Sequence, residues 1–395
     1  LIKKMWSPGE PFPALAIHPG GPRILEAVGD VFYDLGWKEN ALDASFATFG
    51  QYGNLGSAAM LFVLSSRFAA NDIAEDKLIT MAFGPGVTAE WAVLERAVKK
   101  LPLLISPSKY VSPFEAHIAA YAVSVPYPVP SERILEIDRK VRLELGQPES
   151  VIEQFKTLVA SSRIKNRYYC SPLWLPDGKS AADYPDAVAG LTENIYADSW
   201  SPPCWKRMTV FQDTCVKLCI DAATKAVKNW GQDVKSITHL LTTCTSGWQE
   251  PGIACGVIKA LGMQEDIQKA ELNFNGCFCG ATCLRLARDL IRAGECHAVL
   301  IVACEVASSH TDWNILDTDH MIAQSLFADG AASMVIAKEG IWKYSQTGSS
   351  IIPDSSHLLG LRPPSTPTET SFIMTLSKFV SPALHAYFSK GHGKD

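Results

Sequence analysis

Apolar residues in this chain come in short, nearly unbroken runs that stop at glycine, proline or small polar residues: FPALAIHPGG, KLITMAFGPG, THLLTTCTSG, AVLIVACEV and AASMVIAKEG. Runs of that length bounded by turn residues predict buried strands with loops at their ends. Between them lie stretches apolar at three-to-four spacing, at 214–230, 281–294 and 22–36, which predict amphipathic helices. Strand and helix alternate, so the expected fold class is α/β, with helices covering mainly parallel sheets and enough chain for two similar halves. The polar, Pro-rich stretches at 344–368 and 171–187 read as surface excursions, and GPG at 84–86 as a tight turn.

Composition narrows the picture. With 395 residues, 47% of them hydrophobic and 19% charged, the chain can bury a large core. A net charge of −5 without a basic block argues against nucleic acid as partner, and the lack of an 18-residue apolar run argues against a membrane span. LIKKMWSPGE carries no secretory pattern. All 11 cysteines lie between Cys170 and Cys304 without regular spacing, which excludes a disulfide framework and fits a reducing, cytoplasmic setting. Cys277, Cys279 and Cys283 lack a second ligand pair at metal spacing, so no metal is expected.

Three islands carry candidate chemistry. Cys277 in NGCFCG stands between a strand end and a helix start, with Gly276 and Gly280 permitting a sharp turn. A helix N-terminus and a neighbouring imidazole would make its thiolate accessible near neutral pH, and the residue would be a nucleophile; alone, the segment equally describes a buried structural cysteine. His18 follows the FPALAI run and Asn54 sits in QYGNLGSA between Gly53 and Gly56; each, alone, is more simply a structural histidine and a turn asparagine. Together they are a thiol, an imidazole and a carboxamide at glycine-bounded element ends, where α/β folds gather active sites. Such a set could hold the enolate left when a malonyl thioester loses carbon dioxide, with no metal or redox cofactor.

The segments ITHLLTTCTSG, NGCFCGATCLRLARDL, CEVASSH, QSLFADGAASMVI, AIHPGGPRILEAV, QYGNLGSAAMLFVL and MAFGPGVTAEWAVL resemble those of type III polyketide synthases, the chalcone-synthase-like branch of the thiolase fold. The resemblance implies a five-layered αβαβα sandwich: a half at 113–338 carrying the nucleophile, a half made of 339–395 and 1–98 carrying His18 and Asn54, and a connection at 99–112. It implies that Cys277 takes an acyl group from acyl-CoA while His18 and Asn54 bind and decarboxylate malonyl-CoA, with CoA thioesters as substrates and no cofactor. It places Phe327 as gatekeeper, Met374 (with Phe372 close by) at the second gatekeeping position, and Gly56, Ala307 and His310 in the pocket. Smaller side chains at two of these points suggest room for a fatty acyl starter and an alkyl- or acylpyrone or resorcinol product. Arg163, Lys165 and Arg167 match the region that supplies CoA-phosphate contacts, although as residues they read equally as a solvated face. A homodimer is implied, with Glu250 where plant members insert a methionine into the partner. Two other readings stay open: a carrier-protein-dependent β-ketoacyl synthase making one condensation, and a non-catalytic lipid-binding protein.

The order of the halves is rotated relative to the family. The segment carrying the nucleophile follows the one carrying His18 and Asn54, and AYFSKGHGKD would run naturally into LIKKMWSPGE. Either the chain is circularly permuted or its segments are written out of biological order, a choice the missing first Met and the missing linker near 100 tip towards the second. The fold expectation is the same in both cases.

Overall fold

The computed structural model describes residues 2–70, 73–97, 114–188, 194–294, 296–366 and 369–389; the connection expected at 99–112 lies outside them. The five predicted strands form as Ala14–Ile17, Lys77–Gly84, His239–Thr243, Ala298–Val306 and Asp329–Ala337. They join Thr88–Arg96, His117–Ser124, Gln268–Glu271 and Trp342–Ile351 in one nine-stranded sheet.

That sheet is two repeats of one pattern. In one, His117–Ser124 runs antiparallel to Asp329–Ala337, which runs antiparallel to Ala298–Val306, which is parallel to His239–Thr243 and, beyond it, Gln268–Glu271. In the other, Trp342–Ile351 runs antiparallel to Thr88–Arg96, then comes Lys77–Gly84, antiparallel again, then Ala14–Ile17, parallel. Trp342 opposite Ile118 and Lys343 opposite His117 stitch the repeats together.

Helices make the other layers. Ala59–Ala70, buried almost all round, and the amphipathic Cys279–Ala293 lie together between the two repeats. Cys204–Trp230 covers the outer face of the first repeat through Phe211, Cys215, Leu218 and Ala222. On the far side Pro22–Asp34 and Val380–Ser389 pack together over Leu15, Ile17, Ile79 and Met81. Strand alternation assigns the sides: Ala14, Ala16, Leu78 and Ala82 face the central helices while their neighbours face outward. This is the expected αβαβα sandwich.

Two expectations need correcting. Five of the eight strand junctions are antiparallel, so the sheet is mixed rather than mainly parallel. A strand buried on both faces reads as the same apolar run in either direction, and the 84–86 turn folds its two strands back as a hairpin. The stretch from 344 is also no surface excursion up to 351, because Trp342–Ile351 is a strand of the sheet; its TGSS segment is half-exposed and lacks the apolar signal.

The start of the Cys279–Ala293 helix meets the Gly56–Ala58 turn, which leads into Ala59–Ala70, with backbone against backbone. A Cβ on Gly280 would lie 2.3 Å from the carbonyl oxygen of Ser57, so that approach tolerates only glycine. Gly280→Ala should therefore cost about 1–3 kcal/mol by overpacking, despite a helix-propensity gain of about 1 kcal/mol. Urea unfolding reads the sign, and a stabilised variant would mean that the two segments do not approach in this way.

Candidate active site

Each of the three predicted groups sits where a regular element ends. The Ala14–Ile17 strand stops at His18, whose backbone N–H continues the ladder to the Met81 carbonyl at 2.8 Å. Three residues beyond Met81, Gly84 runs so close to the nucleophile segment that a Cβ there would fall 3.1 Å from the Cys277 backbone nitrogen. Cys277 itself sits just before the Cys279–Ala293 helix, after Gly276 at φ +87°, where a Cβ would strike the Pro85 ring at 2.1 Å. Gly84 and Gly276 both lack a side chain where the two segments press together.

Asn54 follows the Asp43–Tyr52 helix. Its amide Nδ2 donates to the Gly20 carbonyl at 3.1 Å, and its Oδ1 accepts from the Gly56 backbone N–H at 3.0 Å. The same Gly20 faces the His18 ring, since a Cβ on it would be 3.4 Å from Nε2. Gly20 therefore joins imidazole and carboxamide, and the second hydrogen on the Asn54 amide remains to donate elsewhere. The Asn54 backbone is bridged to Phe327, its N–H on the Leu326 carbonyl and its carbonyl accepting from Ala328 N–H.

Phe327 and Cys277 line one cavity of about 100 Å³, together with Gly56, Ala307, His310 and Met374. All six pocket-side residues expected from the sequence thus border a single space, and Phe372 joins them. Residues for which sequence reasoning had no role also line it, among them Glu305, His320, Gln324, Leu359 and Leu361. Glu305 carried a signal in CEVASSH that went unused; His320 and Gln324 precede Phe327 by seven and three positions, a helical face that could have been read.

Glu305 is 3% exposed. One carboxylate oxygen accepts from the Ser57 N–H at 3.1 Å and hydroxyl at 2.6 Å, the other from the Thr245 and Ser246 N–H groups at 3.1 and 2.9 Å. A Cβ on Gly56 would fall 2.7 Å from the Glu305 Cγ. The absence of a side chain at 56 therefore opens no room, because Glu305 already fills it, and the imidazole of His310 occupies another part of the wall. At roughly 10–15 Å³ per water-sized position, about 100 Å³ holds on the order of ten such positions. A cavity of that volume favours a short or medium acyl chain over a long one.

The electrostatics also depart from expectation. Burial, aided by the Glu305 carboxylate, pushes the Cys277 thiol up to about 12, and burial alone pulls His18 down to about 3. Both directions favour a thiol and a neutral imidazole, and a nearby carboxylate opposes the helix terminus invoked for a ready thiolate, while the Cys277 residue itself keeps part of its surface exposed. His18 Nδ1 is buried without a partner.

The basic segment corrects another expectation. Arg167 is fully buried and donates to the Ser131 and Ser162 hydroxyls and the Ser325 carbonyl, so it braces the fold and cannot reach a CoA phosphate. Arg163 is exposed and paired with Glu26 at 3.1 Å, and Lys165 is exposed; neither lines the cavity. Among the described residues the one cluster with metal-compatible spacing is Cys215, Cys219 and Cys304, with sulfurs within 4.8 Å of one another, and not the Cys277 segment. These thiols sit in the core among Leu218, Ala222 and Val302. No helix among the described residues is long and apolar enough to cross a membrane.

In this αβαβα sandwich Cys277 lines the cavity, whereas His18 and Asn54 are not among its lining residues; they are tied to each other through Gly20, and Asn54 is bridged to the lining residue Phe327. Residues 189–340 match the N-terminal domain of chalcone and stilbene synthases and residues 13–98 the C-terminal domain, in reversed order. The chain belongs to that family, the type III polyketide synthases. It is 31% identical over 176 residues to bisdemethoxycurcumin synthase of Oryza sativa subsp. japonica, a match covering 42% of this chain and 43% of that enzyme, less than half its length. In fold it is similar to PKS-I of the brown alga Ectocarpus siliculosus (TM-score 0.59, 23% identity, 73% of this chain and 76% of that one). It is also similar to the C-terminal type III polyketide synthase domain of Steely1, a type I/III hybrid from Dictyostelium (TM-score 0.53, 20% identity, 67% and 68% covered).

Two predictions follow from the charge state. Alkylation of Cys277 by iodoacetamide, followed by peptide mass spectrometry, should still be accelerating above pH 9, and in folded Glu305→Gln the profile should move to lower pH; a plateau near pH 7 in the parent would show a preformed thiolate. The second concerns stability. His18, His310 and His320 are held neutral by burial, down to about 3, 4 and 4, whereas unfolded imidazoles protonate near 6.5. Their contribution is complete above about 6.5 and is lost as pH falls towards 4, opposed by Asp329, which burial raises to about 6. Between pH 6.5 and 4 stability should fall by on the order of 1–3 kcal/mol per pH unit, read as a falling urea midpoint; a flat profile would mean that these rings are hydrated.

Proposed function

We propose that this chain is a CoA-dependent type III polyketide synthase that extends an acyl starter with malonyl units and cyclises the product to an alkyl- or acylpyrone or resorcinol. The observation that carries the reading is the cavity itself, with Cys277 on its wall and His18 and Asn54 tied together through Gly20 beside it. Cys277 sulfur attacks the starter thioester; the C–S bond to CoA breaks, and the thiol proton passes through His18 to the departing CoA thiolate. Because the thiol is protonated at rest, this transfer accompanies attack. Malonyl-CoA then loses carbon dioxide, the enolate oxygen is held by His18 and the free N–H of Asn54, and its carbon attacks the acyl-Cys277 carbonyl, releasing the thiolate. A dry, mostly apolar wall favours decarboxylation, in which a localised carboxylate charge gives way to a dispersed one.

The size of the cavity supports short and medium acyl starters over long ones, narrowing the fatty acyl expectation. A soluble protein acting as a homodimer is part of the same proposal.

Purified protein, malonyl-CoA and a panel of acyl-CoA starters analysed by mass spectrometry form the test. Ketide products with short or medium starters are expected. Cys277→Ala should abolish them while some malonyl decarboxylation persists, and His18→Ala and Asn54→Ala should each slow decarboxylation about a hundredfold or more. Retained products in Cys277→Ala would remove the nucleophile assignment. A strict requirement for acyl carrier protein would convert the reading to a single-condensation ketoacyl synthase. Because the thiol is raised, slow alkylation at neutral pH does not single out a non-catalytic protein, whereas failure of the wild type to load any thioester would.

A further inference from the structure

The helix Thr318–Leu326 turns one face to the cavity. His320, Ala323, Gln324 and, just past its end, Phe327 all line that space, and they stand at i, i+3, i+4 and i+7. At 1.5 Å per residue His320 lies about 10 Å along this face from Phe327, the residue bridged to Asn54. It therefore belongs to the part of the wall remote from Asn54.

His320 is 3% exposed, and both its ring nitrogens are buried without a hydrogen-bond partner. Two unpaired nitrogens on one ring are rare in a folded interior, since each costs about 1–3 kcal/mol when left unmade. The other imidazole of the cavity shows the contrast. His310 Nε2 lies 2.6 Å from the Ser246 carbonyl, its Nδ1 accepts from Phe372 N–H at 3.5 Å, and its ring stacks on Phe372 at 4.5 Å. His310 is spent on the protein and presents ring surface; His320 is not. The charges that face His320 oppose one another, Asp312 and Asp317 against Arg207 and Arg142, and burial leaves the ring neutral. A neutral imidazole has one N–H donor and one bare nitrogen.

Resting on the polyketide reading above, we propose that His320 is a hydrogen-bonding subsite for a keto or enol oxygen of the growing poly-β-keto chain, and so helps set how far that chain extends and how it folds before closure. The donor suits a keto oxygen and the bare nitrogen an enol hydroxyl. A saturated acyl chain offers neither, so this part of the wall selects the oxygenated, newly built end over the starter's hydrocarbon. The unmet capacity in the free protein is stability given up at a position where a ligand restores it.

The test uses the full chain and 4-hydroxy-6-methyl-2-pyrone, a cyclic relative of the proposed intermediates, titrated by calorimetry. His320→Leu should bind it about tenfold more weakly, and His320→Asn, which keeps a donor and an acceptor, should recover most of that loss. Replacing two unpaired nitrogens by an apolar group should leave the melting temperature of His320→Leu equal to or above wild type. A melting temperature lowered by several degrees would show that the imidazole serves the fold, and unchanged pyrone affinity would show that it touches no ligand oxygen; either overturns the proposal. In turnover, His320→Leu should shift products towards shorter ketides, and an unaltered product profile would count against the subsite. Failure of the wild type to make any ketide would instead sink the polyketide reading, an outcome distinct from a His320 variant that matches a productive wild type.

Discussion

The buried carboxylate of Glu305 is the constraint around which the site is arranged. Its donors come from both halves of the sandwich: Ser57 from the half that carries His18 and Asn54, Thr245 and Ser246 from the half that carries Cys277. A charge this deep is tolerable only when its lone pairs are filled, and four charge-assisted bonds do that. The arrangement dictates its neighbours. Gly56, at φ +51°, has no space for a side chain beside the Glu305 stem, and its N–H is turned to the Asn54 amide oxygen, fixing which end of that amide is left to donate. One interaction thus closes the halves, orients Asn54 and sets a negative charge near Cys277.

The rotated order of the family segments is compatible with this assembly because the two stretches that make up the second half, at opposite ends of this chain, pack as one unit. Trp342–Ile351 completes the sheet of Thr88–Arg96, and Ile2, Met5, Leu384 and Phe388 share one apolar cluster. The stretches near both described ends therefore pack into the same layer, where covalent order matters less than the strand ladder and the burial between them.

Legibility in the sequence followed burial. Ala298–Val306 and Asp329–Ala337, buried along their whole length, announced themselves as apolar runs; Trp342–Ile351, alternately half-exposed, did not. The cavity was readable at Cys277, because glycines and a strand end mark its position without tertiary information, and at Phe327 through the likeness of QSLFADG to the family segment. What could not be read was distance across the fold. Nothing in RIKNRYY distinguishes an arginine facing solvent from Arg167 locked on Ser131 and Ser162, and nothing in GNLGS says that Glu305, 249 residues away, fills the space beside Gly56. Likewise a helix-start cysteine suggests a depressed pKa only if no carboxylate stands near, and Glu305 raises the Cys277 thiol here.

That failure bears on how such a site would work. A preformed thiolate beside Glu305 would place two negative charges in a region of low dielectric, and an imidazolium to balance them would itself be unhydrated. Keeping both groups neutral at rest removes that conflict and postpones charge separation until a thioester arrives. The thioester then supplies what the empty cavity lacks: a carbonyl that becomes an oxyanion close to the N–H donors, and a leaving thiolate to take the proton. On this view the high thiol pKa confers selectivity, since a small electrophile with no carbonyl to be polarised finds a protonated sulfur, whereas a thioester that fits the cavity brings the means of its own activation. The same logic separates the two cavity imidazoles. His310, with its nitrogens satisfied, keeps the wall dry and shaped, and His320, with its nitrogens unmet, leaves polar capacity that only an oxygen-bearing ligand can complete.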